Sequence, residues 1–469
     1  MYYAKGSVFL TQDNKFLGTA PLGPLLFKLA IPTILAQLIN MLYNIVDRIY
    51  IGHMPNNGDL ALTGVGVCLP IIMIVSAFAA LVGSGGAPRA SIYMGKGDND
   101  SAEKILGSCF TLQIIISVIL TFALLIWGKP LLMIFGASKN TIGYAAGYME
   151  IYALGTIFVQ MTLGLNAFIT AQGFTKIGMY TVLIGAVCNI ILDPVFIFAL
   201  DMGVKGAALA TIISQGISCT WVILFLLGKK TMLKLKPSNM KVVPKVILPC
   251  IALGLAPFVM QSSESVISVC FNASLLKYGG DIAVGAMTIL TSVMQFAMMP
   301  LQGLAQGAQP IISYNYGAGN EKRVKKTFFM LLGISVCYSF ILWGAVMFSP
   351  RTFASLFSSD GALVSFAASA LRVYCAVLCV FGVQIACQMT FVSLGKAGCS
   401  VIVAVMRKFV LLLPLIYIMP EILTNDKTNA VYTAEPIADF LAVSFTAILF
   451  TFQFRKVLRE MRCNNEQQL

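Results

Sequence analysis

Twelve apolar stretches, separated by short clusters of Gly, Pro and charged residues, dominate the chain and leave little room for anything but a membrane protein. They fall at about 25–52 (α1), 61–84 (α2), 105–127 (α3), 147–171 (α4), 177–199 (α5), 207–227 (α6), 246–275 (α7), 283–305 (α8), 328–348 (α9), 367–392 (α10), 400–419 (α11) and 437–454 (α12). A helix needs about 20 mostly apolar residues to cross a bilayer, and no backbone amide can stay unpaired there, so runs of this length are expected to be helices. Only 11% of the 469 residues are charged, against about 25% in soluble domains. The expected fold is an all-α polytopic membrane protein. α1 follows Lys5, Asp13 and Lys15 and runs well past the length of a signal-peptide core without a small-residue cleavage site, so it should be retained as a span.

The net charge of +13 needs a different reading from that of a soluble basic protein. No stretch is long and polar enough to form a nucleic-acid surface. Instead, 24 of the 32 Lys and Arg fall on the termini and alternate connections, which by the positive-inside rule places both termini in the cytoplasm. Lys229, Lys230, Lys234, Lys236, Lys241 and Lys245 then form a central cytoplasmic linker. The expected organisation is an N-terminal segment 1–24, a six-helix bundle 25–228, the linker 229–245, a second bundle 246–454 and a tail 455–469.

The halves on either side of the linker repeat at an offset of 222 residues: Ala61 with Ala283, Pro88 with Pro310, Gly95 with Gly317, Gly97 with Gly319, Phe135 with Phe357, Tyr152 with Tyr374 and Gly173 with Gly395. Pro32 and Pro257 match at 225. With six helices per half, both halves enter from the same side, so the repeat is parallel and its axis lies along the membrane normal. Two like bundles enclosing a cleft suit a transporter.

Polar residues inside apolar helices mark what such a cleft handles, because charge in hydrocarbon is costly. On α1, Gln37, Asn40, Asn44 and Asp47 lie at i, i+3, i+7 and i+10 on one face. That stripe faces either a water-filled cavity or a polar helix seam, and a carboxylate without a stated partner favours the cavity. On α5, Asn189 and Asp193 are one turn apart and Pro194 frees a backbone carbonyl; the arrangement is either a hard-ligand cation site or a helix end. α7 carries Gln261, Glu264, Ser265, Ser268 and Asn272 on one face. Glu264 either binds a cationic substrate, carries a proton, or pairs with a neighbouring Lys or Arg. At the repeat offsets Asp47 corresponds to Asn272 and Asp193 to Leu415, so the ion-site carboxylates belong to the first half alone. Met260, Met287, Met294, Met298 and Met299 with Phe296 suit either a pocket for apolar cations or ordinary packing.

Other features carry less. Eleven of the twelve cysteines lie in apolar runs without a CxxC pair, and Cys375 and Cys379 on one helix face lack further ligands, so no cysteine is assigned chemistry. One histidine, His53, excludes a His-based triad or zinc cluster, and with it most membrane-embedded enzymes. Gly95-Lys96-Gly97 and Gly317-Ala318-Gly319 read as cytoplasmic turns before short amphipathic segments, and Arg407 and Lys408 are expected to snorkel.

Several stretches resemble the multidrug and toxic compound extrusion (MATE) transporters, in the bacterial branch of DinF-like and MepA-like proteins. They include Ala30-Ile31-Pro32, Asn44-Ile45-Val46-Asp47, Gly83-Ser84-Gly85-Gly86, Asn166 through Gln172-Gly173, Asn189 through Pro194, Gly206 through Thr211, and Gln306-Gly307 through Gly319. The resemblance spans nearly the whole chain. It implies a plasma-membrane exporter, monomeric, that rocks two bundles to antiport small cationic or amphipathic molecules against Na⁺ or H⁺, with no resident cofactor. The cation site it implies comprises Asp47, Asn189, Asp193 and Thr211; Asn166 is counted with Gln37, Asn40, Asn44, Gln261, Glu264, Ser268, Met287 and Met294 as cavity residues. Glu264 departs from the branch, since an acid on this helix is typical of NorM-like relatives and lies there one residue further from the proline. Flippases for lipid-linked cell-envelope precursors are the alternative, although they would want a basic cavity.

Overall fold

The computed structural model describes residues 15–54, 58–358 and 360–466 and is helical throughout, with no strand among them. The first 14 and last three residues of the expected terminal segments lie outside the described residues. Among the described residues, ten helices are long and apolar enough to cross a bilayer. Pro244–Gly317 is one 74-residue helix interrupted by Gly280, whose φ of 67° breaks it into α7 and α8. Gly361–Tyr374 and Leu378–Ser393 meet at a 50° bend and together make α10. With those two features counted, the spans number twelve among the described residues, and α1 to α12 keep the numbers given above.

The apolar cores set the bundle organisation. Val65, Cys68, Tyr148, Tyr152 and Ile197 pack one end of the first bundle, while Phe271, Met287, Leu290, Tyr374 and Tyr432 pack the corresponding end of the second. The bend in α10 separates Cys375 from Cys379, so the helix face expected to carry both does not exist.

Most spans run further than hydropathy suggests. α2 is Gly58–Gly95, α3 is Asn99–Ile134, α9 is Glu321–Phe348 and α12 is Lys427–Glu466. The polar residues after the two Gly-x-Gly turns are therefore the first turns of α3 and α9, not separate amphipathic segments. The reason is local: Asp98 accepts a hydrogen bond from Ser101 N at 3.0 Å and Asn320 from Arg323 N at 3.2 Å, and such caps start a helix whether or not its first turn is apolar. Asp98 and Asn320 are themselves related by the 222-residue offset. So are Gly97 and Gly319, with φ of 79° and 71°, and Gly173 and Gly395, with φ of 87° and 69°. The repeat is thus written in backbone conformation.

The bundles meet where these turns lie. A Cβ on Gly95 would collide with the Tyr314 carbonyl, and one on Gly317 with the Ile92 carbonyl. Tyr314 and Ile92 are also 222 apart, so α2 and α8 cross by a reciprocal contact of the kind a two-fold axis generates. Flanking it, Gly85 of α2 meets the Cys250 carbonyl of α7 and Gly254 of α7 meets the Leu81 carbonyl of α2, while Gly303 and Gly307 receive the Ile34 and Ala30 backbone of α1. Thr33 Oγ1 donates to the Gly303 carbonyl at 2.6 Å and Gln37 Nε2 to Gln306 Oε1 at 3.2 Å.

The linker does not hang free. Gln172 Oε1 accepts from Thr231 Oγ1, Met232 N and Leu233 N at 3.0, 2.9 and 3.0 Å. Glu103 accepts from Lys234 N at 3.1 Å and pairs with Lys236, which holds the Lys236 ammonium above its usual range. Ser108 and Thr111 donate to the Lys241 and Met240 carbonyls.

Adding a methyl at the crossing should cost about 1–3 kcal/mol by overpacking. Gly317→Ala is therefore expected to lower the thermal unfolding midpoint in detergent, whereas Gly333→Ala, in α9 with no atom within 4 Å of its Cβ position, should leave it unchanged or raise it.

Candidate functional site

Each bundle holds a cluster of ionisable side chains inside its spans. In the first bundle, α1 contributes Asp47, α5 contributes Asn189 and Asp193, and α6 (Gly203–Leu227) contributes Thr211. Asn189 Nδ2 lies 3.2 Å from Asp193 Oδ1 and 3.5 Å from Thr211 Oγ1. The Asp47 and Asp193 carboxyl groups are within hydrogen-bonding reach of each other. All four residues predicted for cation coupling are thus brought together. Asp193 and Asn189 are 0% and 2% exposed, and among the described residues neither aspartate forms an ion pair.

Three oxygens of this cluster lack a donor. Asp47 Oδ1, Asn189 Oδ1 and Asp193 Oδ2 are buried without a hydrogen-bond partner. Unpaired buried acceptors are expensive, and carboxylates far more so; neighbouring oxygens without a donor are what a hard cation or a proton completes. Pro194 shapes the region: α5 gives way there to a π-helical turn over Val195–Ala199, as expected where a proline removes an amide donor. Tyr43 and Tyr148 are neighbours of the site, the latter with its hydroxyl at Thr211. The sequence reading passed over both, although Tyr43 stands one turn before Asp47, a spacing that places it on the same face.

The second bundle answers the question left by Glu264. Lys408 Nζ lies 2.6 Å from Glu264 Oε1, so the carboxylate is paired. Arg407 Nε lies 2.7 Å from Asp439 Oδ1, its Nη2 3.2 Å from Glu435 Oε1, and its guanidinium stacks over Phe381 at 4.7 Å. Snorkelling was expected of Arg407 and Lys408, and both are instead buried, at 7% and 3% exposure. The physical reason is supply of partners: α12 brings Glu435 and Asp439, one turn apart, to the π-helical stretch Met406–Leu412 of α11. Paired and stacked, the cations have no need to reach the interface. Three acids face two bases, and the Glu264 side chain, 52% exposed, is the most open member of the group.

Other cavity residues divide. Asn40, Asn44, Gln261 and Ser268 are exposed, with Asn44 Nδ2 donating to the Asn40 carbonyl at 2.6 Å. Gln37 bridges the bundles, as described. Asn166 Nδ2 donates to the Gly178 carbonyl at 3.3 Å and so ties α4 to α5. Met287 is 4% exposed within the second core, contrary to a cavity role, and Met294 packs against that core with its sulfur 3.8 Å from Cys375 Sγ. A cavity of about 280 Å³ lined by Met54, Tyr144, Ile197, Asp201 and Lys205 includes none of Asp47, Asp193 and Glu264.

Comparison with known proteins bears on the whole arrangement. The MatE family model matches twice, over residues 32–195 and 257–418. The chain belongs to the MatE family. Its two matches begin at Pro32 and Pro257, the pair that aligned α1 with α7. Among curated relatives, the multidrug export protein MepA of Staphylococcus haemolyticus is 26% identical over 418 residues, covering 88% of this chain and 91% of the relative. MepA of Staphylococcus saprophyticus is 24% identical over 391 residues, covering 83% and 85%. Among solved structures, the MATE multidrug transporter DinF-BH, in complex with R6G, is 33% identical with a TM-score of 0.87, covering 96% of this chain and 99% of that one. An outward-facing multidrug resistance MATE transporter of the MOP superfamily shares the fold at a TM-score of 0.87 and 21% identity, covering 96% and 99%.

Removing one partner of a buried ion cluster costs about 3–5 kcal/mol because the others are left uncompensated. Arg407→Met is expected to lower the unfolding midpoint markedly, and the triple change Arg407→Met/Glu435→Gln/Asp439→Asn to recover most of that loss, as read by thermal denaturation in detergent.

Proposed function

We propose that this MatE-family membrane protein is a secondary active multidrug exporter, which moves small cationic or amphipathic molecules out of the cell in exchange for Na⁺ or H⁺. The observation that carries the reading is the Asp47/Asn189/Asp193 cluster, with three buried oxygens lacking a donor. The MepA relatives and the DinF-BH transporter, by their names multidrug transporters, supply the substrate class.

In this reading the basic linker and both termini lie in the cytoplasm, residues 25–228 and 246–454 are the two moving bodies, the protein works as a monomer in the plasma membrane, and the α2–α8 crossing is the closed inner gate. Na⁺ or a proton entering from outside neutralises the Asp47/Asp193 pair. Two adjacent carboxylates repel each other unless a cation or a shared proton sits between them, so occupancy changes how tightly α1 and α5 hold together. The cation and the exported molecule exclude one another through two arrangements of the bundles, each ligand stabilising the one it binds better. Together the two polar centres hold more acids than bases, Asp47, Asp193, Glu264, Glu435 and Asp439 against Arg407 and Lys408, which suits organic cations; a flippase for pyrophosphate-linked precursors would need the opposite sign. Asn189 and Thr211 orient the carboxylates and offer further oxygens to the ion.

Neutralising both acids, as Asp47→Asn/Asp193→Asn, should reduce gradient-driven ethidium efflux from proteoliposomes to the protein-free leak while the protein still inserts and melts cooperatively. Efflux at the wild-type rate in that variant would overturn the coupling site. Dye binding to purified protein that weakens with added Na⁺ at fixed pH identifies sodium as the coupling ion, and weakening with acid alone identifies the proton; either dependence should vanish in Asp193→Asn.

A further inference from the structure

One cation of the second bundle stands without an acid among the described residues. Arg372 lies in the last turn of Gly361–Tyr374, the first half of α10. It is exposed, and its side chain forms no ion pair or hydrogen bond within the described structure. Glu435 and Asp439 of α12 are buried and held by Arg407, so neither compensates it. The negative end of its own half-helix offers only about half a charge, and charge within a membrane span calls for a full partner. Arg372 also heads a groove of about 590 Å³ between α10 and α12. Beyond Arg372 and Thr433 the walls are apolar, Val373 and Val377 on one side and Ile437, Phe440 and Leu441 on the other, and no acid lines them. As even-numbered spans α10 and α12 run in the same direction. Arg372 and Thr433 therefore share one end of the groove, and Val377 and Leu441 lie about 8–12 Å further along, at 1.5 Å per residue. Trp343 of α9 marks the level: its indole Nε1 donates to the Ala376 carbonyl at 2.9 Å, in the interruption between the halves of α10. Tryptophan collects at the membrane–water interface, and Arg372 is one further turn toward the start of α10, on the headgroup side of that level.

We propose that this groove is a binding site for an anionic phospholipid, whose phosphate sits on the Arg372 guanidinium and whose acyl chain lies along the apolar walls of α10 and α12. A guanidinium fork matches phosphate oxygens in pairs. The groove continues inward from that charge without another polar wall, which fits a ligand with an anionic head and a long apolar tail rather than a free anion. With no acid in the lining to receive an ammonium, a head that carries no cation, such as glycerol, is favoured over choline. The lipid covers the 50° bend of α10 and so braces the two halves of that span against α12. In the orientation of the function proposed above α10 starts outside, which makes the occupant a lipid of the outer leaflet; only the choice of leaflet rests on that reading.

The test uses the full-length protein purified in detergent, incubated with dioleoylphosphatidylglycerol, dioleoylphosphatidylcholine or glycerol 3-phosphate and read by native mass spectrometry. Phosphatidylglycerol is expected to be retained at one molecule per chain, about tenfold better than phosphatidylcholine, and to slow amide hydrogen exchange across the α10 interruption at residues 374–378. Glycerol 3-phosphate, a phosphate without a tail, should neither bind nor compete. Arg372→Gln should lower retention about tenfold through loss of a charge-assisted contact. Ala376→Phe, which fills the groove and keeps the arginine, should lower it as far, and both variants should melt cooperatively. Arg351→Gln, which removes an exposed cation outside the groove, should change nothing. Equal retention of the two lipids, or wild-type retention in Arg372→Gln, overturns the proposal. Displacement of the lipid by glycerol 3-phosphate overturns it too, by reducing the groove to a phosphate site. Binding is read without transport, so a protein that failed to move dye would lose the exporter reading and keep this site.

Discussion

Everything in this molecule turns on a place where two helices touch without side chains. At the α2–α8 crossing, Gly95 and Gly317 let each backbone rest against the carbonyl of the other helix. Lipid tails are as apolar as leucine, so hydrophobic burial gives membrane helices little reason to associate, and close backbone approach through small residues does that work instead. Because the partners are symmetry-related, one contact defines the axis about which the halves are arranged. The α1–α8 and α2–α7 contacts beside it use matching positions, 303 and 307 on α8 and 81 and 85 on α2. Such contacts hold well in register and have few intermediate arrangements, which is the behaviour expected of a bistable interface.

Around that symmetric frame the charges are deliberately unlike. The first bundle places Asp47 and Asp193 together without an ion-pair partner among the described residues. The second answers with Glu264, Glu435 and Asp439 against Arg407 and Lys408. One half therefore has acceptors to fill, whereas the other carries most of its own counterions. The duplicated framework has kept its packing glycines and turns, and it has lost the chemical equivalence of its two polar centres, since Asn272 and Leu415 stand where symmetry would put the aspartates.

How far this was legible from residues alone follows from how local each signal is. Spans and repeat were readable because hydrocarbon thickness and turn glycines act over short windows. Asp47, Asn189 and Asp193 stood out because a polar side chain in an apolar helix is conspicuous by itself. Thr211 was not, since a threonine satisfies itself on its own helix; the resemblance to MATE transporters supplied it. Arg407 and Lys408 were misread because their partners come from other helices: Glu435 and Asp439 at the start of α12, which hydropathy placed at 437 although the helix begins at Lys427, and Glu264 on α7. The starts of α3 and α9 were misplaced because the capping side chains Asp98 and Asn320 extend those helices into polar sequence. Met287 shows the converse limit: periodicity identifies an apolar face without saying whether a core or a cleft lies against it.

Gln172 has a mechanical consequence. One carboxamide oxygen gathers three donors from residues 231–233, and Ser108 and Thr111 hold residues 240 and 241, so most of the connection between the halves is upholstered onto the first. The loose length is then only a residue or two before the helix that opens at Pro244. A long tether would let the halves drift apart and re-dock in many orientations. A short one acts as a pivot pin, and it obliges any relative motion to be a rotation about a point close to the start of α7.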